Sequence, residues 1–107
     1  MLQPTLSLGN DNGNERAKLP VIGSSYTGPQ SGNYTITQGV DFRGSGRELF
    51  IQNDGNVNIT VVVNCLEGTI GFLIQAGEQL DERLPLFSSV VVTSTGNWRW
   101  RVRGNVS

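Results

Sequence analysis

The chain has 107 residues, with 8 Lys and Arg against 9 Asp and Glu, no histidine, one cysteine and 14 glycines. That length fits one domain around one hydrophobic core, burying roughly two thirds of the unfolded surface without requiring a disulfide or a metal. No histidine means no imidazole base or ligand, one cysteine excludes an intrachain disulfide and multi-cysteine metal sites, and a net charge of −1 argues against binding nucleic acid or an anionic membrane.

Residues 1–33 differ from the rest. The N-terminus has no basic segment followed by a long apolar run, so no signal peptide is expected and the chain reads as made in the cytoplasm. Asn10-Asp11-Asn12-Gly13-Asn14 and Gly28-Pro29-Gln30-Ser31-Gly32-Asn33 are turn formers with little to bury. Between them Leu19-Pro20-Val21-Ile22 is one short apolar anchor. The whole segment is expected to be an extended arm that wraps its own domain or reaches a neighbouring subunit, with Leu19, Val21 and Ile22 as its candidate contact residues.

From Tyr34 onward the apolar period is two, the signature of strands. Tyr34 to Gln38 is a short strand. Arg47 to Asn53 puts Leu49 and Ile51 on one face and Phe50 on the other, and ends at the turn signal Asp54-Gly55. Val57, Ile59, Val61, Val63 and Cys65 share a face opposite Asn58, Thr60, Val62 and Asn64, which predicts a half-buried strand. Glu67-Gly68 turns into a strand over Thr69 to Gln75, broken by Ala76-Gly77-Glu78. Gln79 to Leu86 is open between an edge strand, a long loop and a single helical turn, because Pro85 limits any helix. Ser88 to Ser94 and Trp98 to Arg103 complete the set. The prediction is an all-β antiparallel sandwich or jelly roll over 34–107, preceded by the arm over 1–33.

The last strand holds the strongest functional signal. Trp98, Trp100 and Val102 alternate with Arg99, Arg101 and Arg103, so three guanidiniums line one face about 6.5 Å apart. Arginines outside and tryptophans inside satisfy a sandwich strand without any partner, and charges also guard an edge. The same ridge suits bidentate capture of carboxylate or phosphate groups on a partner. Other constellations are weaker. Glu78, Asp81 and Glu82 are candidate acids for glycoside hydrolysis but lack an activated nucleophile nearby. Asp11, Asn12 and Asn14 fail the calcium-loop pattern. Cys65 falls on an apolar face and is expected to be a buried, inert thiol. Tyr26, Tyr34, Trp98 and Trp100 form a sugar-stacking platform only if the tryptophans face outward. No cofactor or metal site is expected.

The stretch from Asn56 to Gly104 resembles small virion proteins of tailed bacteriophages. The matching pieces are Gly55-Asn56-Val57-Asn58-Ile59-Thr60-Val61, Ala76-Gly77-Glu78, Phe87-Ser88-Ser89-Val90-Val91-Val92-Thr93, Gly96-Asn97-Trp98-Arg99 and Val102-Arg103-Gly104. The resemblance implies a non-enzymatic capsid decoration, or cement, protein in the virion, typically a homotrimer bound to the major capsid protein or other virion subunits. It also implies that the arm staples adjacent capsid subunits. A carbohydrate- or receptor-binding module of a tail appendage is the alternative expectation, and it requires exposed tryptophans.

Overall fold

The computed structural model describes residues 19–25 and 32–106. Expectations for residues 1–18, including Asp11, Asn12 and Asn14, and for Tyr26 therefore lie outside the described residues. The described chain holds seven strands and no helix: β1 Val21–Ser25, β2 Asn33–Thr37, β3 Ser45–Asn53, β4 Ile59–Cys65, β5 Gly68–Ile74, β6 Gln79–Thr93 and β7 Trp98–Asn105. All pairings between them are antiparallel, in the order β1-β7-β3-β6-β4-β5, with β2 joined separately to β6.

The fifteen-residue β6 organises the molecule. Its first part pairs with β3, from Gln79 opposite Gln52 to Phe87 opposite Gly46. Its second part lies between β2 and β4, with Val91 opposite both Thr35 and Val62. One strand thus belongs to two four-stranded halves, β1-β7-β3-β6 and β2-β6-β4-β5, and the predicted all-β antiparallel fold is observed as one seven-stranded sheet. The register jumps at the junction. Gly46 faces Phe87 while Glu48 faces Arg83, so β6 spends Leu84, Pro85 and Leu86 where β3 spends Arg47. Proline has no N–H for a ladder and is tolerated at such an irregularity. The segment over Gln79 to Leu86, open on sequence between strand, loop and helical turn, is therefore strand, continuous with the one after it.

Period-two alternation fills the space between the halves. Ile36, Leu49, Ile51, Ile59, Val61, Val63, Val90, Val92, Trp98, Trp100 and Val102 belong to one buried cluster. Each large apolar side chain so buried contributes roughly 1.5–3 kcal/mol. Two contacts tie the halves face to face. Tyr34 of β2 and Trp98 of β7 bring their ring centroids to 6.2 Å. Beside it, Asn53, the partner of Trp98 in the β3–β7 register, donates from Nδ2 to the carbonyl of Ile74 at 3.1 Å. The aromatic pair Phe42 and Phe87 closes the corner where β6 passes between the halves, with centroids 5.9 Å apart.

Three expectations change. The boundary at residue 33 moves, because Val21–Ser25 pairs with β7 as a strand of the sheet. Its anchor residue Ile22 packs against the core of its own domain. Sequence periodicity missed β1 because Gly23, Ser24 and Ser25 carry no apolar alternation; its pairing with β7 supplies the order. Val57, expected on the core face, precedes β4 and is 36% exposed, because Asn53 Nδ2 holds the Val57 carbonyl in a turn at 2.7 Å. Cys65 is half-buried at the rim of the core, where it lines a recess of about 350 Å³ with Gln38, Leu66 and Leu86.

Candidate functional site

The outer face of the β1-β7-β3-β6 half carries the predicted arginine ridge. Trp98, Trp100 and Val102 point into the core, so the pleat sends Arg99, Arg101 and Arg103 to the opposite side. Neighbouring β3 aligns with them in rows, Arg103 beside Glu48, Arg101 beside Phe50 and Arg99 beside Gln52. Next to β3, strand β6 places Arg83 beside Glu48 and Asp81 beside Phe50. Side chains directly opposite across strands approach within about 5 Å.

Each arginine of the ridge already has an intramolecular role. Glu48 is only 6% exposed, and its carboxylate accepts from Arg83 Nε at 2.8 Å and from the same guanidinium's Nη2. Arg99 Nε lies 3.1 Å from Asp54 Oδ2 on an open surface, a pair worth little in water. Arg103 Nη1 donates to the carbonyl of Leu19 at 2.8 Å, which fastens the start of the described chain to β7. The Arg101 guanidinium sits 4.5 Å over the centre of the Phe50 ring, within cation–π range. Its Nε is buried and donates no hydrogen bond.

Arg101 stands beside a shallow recess of about 240 Å³ lined by Ser24, Ser25, Phe50, Arg99, Trp100 and Arg101. Ser24, opposite Arg101, and Ser25, opposite Trp100, line it from β1 beside the Arg99 and Arg101 guanidiniums and the Phe50 ring. That combination offers hydrogen-bond donors and positive charge to an anionic group, above all a planar carboxylate that arginine binds bidentately. Sequence reasoning found Arg99, Arg101 and Arg103. It missed Ser24, Ser25 and Glu48, which arrive only through pairing. Phe50 carried a readable signal, as an aromatic on the non-core face of its strand.

The other candidates do not converge. Leu19 is half-buried just before β1, its carbonyl held by Arg103, and Val21, the first residue of β1, is 45% exposed, whereas Ile22 is spent on its own core. Glu78, Asp81 and Glu82 are all exposed. Glu78 Oε1 accepts from the backbone N–H of Gln75 at 3.1 Å, and consecutive Asp81 and Glu82 alternate across β6. No group of three or more Cys, Asp or Glu residues able to hold a metal occurs among the described residues. Trp98 and Trp100 are 1% and 4% exposed, so neither presents a ring to a sugar.

One titratable group is strongly perturbed. Tyr34 Oη donates to Asp41 Oδ1 at 2.6 Å, and its pKa is pushed up to about 12. The hydrogen bond to Asp41 is the largest cause, followed by burial and by the adjacent carboxylate charge. The other Asp41 oxygen accepts from Thr37 N at 2.7 Å. These bonds brace the 38–44 turn, which is a structural task. No protein-family model matches the chain, and no curated protein or solved structure matches it significantly.

Proposed function

We propose that this protein is a non-enzymatic structural component of a virus particle, a decoration protein that binds and stabilises a tailed-phage head shell. The observation that carries the contact is Arg101, whose guanidinium is stacked on Phe50 beside the serine-lined recess. A guanidinium already held by an aromatic ring loses little further freedom when it captures a carboxylate. Arginine and aromatic side chains are also the types enriched where binding energy concentrates. The proposed partner is an acidic segment of the major capsid protein or of another virion subunit. Repetition over a symmetric lattice turns modest single contacts into stable attachment.

Co-sedimentation with assembled phage head shells tests the proposal. The expected result is saturable binding that falls at least about tenfold in Arg101→Gln, with unchanged circular dichroism. No saturable binding to any shell, or equal binding by Arg101→Gln, overturns it.

A further inference from the structure

We infer that the outer edge of β5 pairs antiparallel with the same strand of a second copy of this chain, about a two-fold axis through Gly71. The contrast among the sheet edges points there. In β1, the Ile22 carbonyl accepts from Arg43 N at 3.1 Å, and Gly23 lies tight against the 41–42 backbone. In β2, Thr37 N is capped by Asp41, and the Thr37 carbonyl accepts from Val40 N and Asp41 N. The free edge of β6 carries Asp81, Glu82, Arg83 and Pro85, the charges and proline that block strand addition.

Strand β5 has none of these guards. Gly68–Ile74 contains no charge and no proline, and its seven-residue register with β4 runs without a bulge. No described strand pairs with its other side. Every second residue of such a strand turns its N–H and C=O outward, which makes the edge a template for another strand.

The edge is also compatible with itself. A two-fold axis at Gly71 sets Thr69 beside Leu73, Ile70 beside Phe72, and Glu67 beside Gln75, so no like charges meet. Ile70 and Phe72 are half-buried against the core, and Leu73 is 57% exposed with Val62 at 40% on the adjoining outer face. The row Thr35, Val91, Val62, Gly71 crosses that outer face without a charge. Pairing would span about 24 Å, add about six main-chain hydrogen bonds and join two four-stranded halves into one eight-stranded sheet.

Gly71 provides a clean test. A Cβ there meets nothing closer than the Val61 carbonyl at 3.9 Å, so a side chain is accommodated within the protomer. Sedimentation velocity on the full chain is expected to show a concentration-dependent species of twice the 11.6 kDa protomer mass. Gly71→Lys and Gly71→Glu, each alone, oppose like charges at the axis and weaken association at least about tenfold. Mixing the two restores the dimer as a heterodimer, which also shows that both variants fold. A wild-type monomer at all concentrations, or an oligomer indifferent to both substitutions, overturns the inference. The result is separable from shell binding, because one experiment reads mass in solution and the other reads co-sedimentation.

Discussion

The side-chain amide of Asn53, at the end of β3, donates to the carbonyl of Ile74, at the end of β5, and so bridges the two halves of the sheet at 3.1 Å. Asn53 is 1% exposed, and its Nδ2 also serves the Val57 carbonyl while its Oδ1 accepts from Gly55 N at 3.0 Å. Replacing it strands several buried backbone groups. Asn53→Ala is expected to cost about 3 kcal/mol in urea unfolding. Asn53→Asp brings an acceptor against two carbonyls and is expected to be worse at pH 7 than at pH 4, where a protonated carboxyl donates again.

Tyr34 gives stability a defined alkaline limit. Its folded pKa of about 12 lies above the ordinary value of 10.0, so the folded state keeps a proton that the unfolded state releases first. The stabilisation is complete below about pH 10 and is lost as pH rises toward about 12. Tyr34→Phe removes the bond to Asp41, costs about 1–2 kcal/mol at neutral pH, and flattens this part of the stability–pH curve. Chemical unfolding at pH 8, 10 and 11 measures both effects.

Gly104 faces Gly46 across the β3–β7 pair. A Cβ on Gly104 would overlap the Ser45 carbonyl oxygen, which is backbone and has no room to give. Gly104→Ala is expected to lose about 3 kcal/mol, a fall of about 10–20 °C in Tm by thermal circular dichroism. Gly71→Ala, in open space, serves as the control and is expected to shift Tm by only a few degrees.

The two ion pairs of the arginine face differ in burial, and burial decides their worth. Glu48 is nearly enclosed and lies in register between Arg83 and Arg103, whereas Asp54 meets Arg99 in solvent. Glu48→Gln is expected to cost about 2 kcal/mol, with little dependence on salt. Asp54→Asn is expected to cost under about 0.5 kcal/mol and to vanish at 1 M salt. Unfolding midpoints at low and high salt separate the two cases.

Alternation alone was enough to read most of the strands and to put Leu49, Ile51, Val61, Val63, Trp98 and Trp100 inside and the three arginines outside, because the strand period is a local property of the backbone. Local pattern could not reveal that β6 is one strand serving both halves, since Pro85 and the charges around it also suit a loop. Nor could it find β1, whose order comes from pairing with residues some eighty positions away. The arginine face divides in the same way. Its residues and their direction follow from the sequence by itself. Only the tertiary register set Glu48 between two arginines, put Phe50 beneath Arg101 and brought Ser24 and Ser25 to the recess. Cross-strand neighbours are chosen by long-range pairing that buries the apolar face, and no local window contains that information.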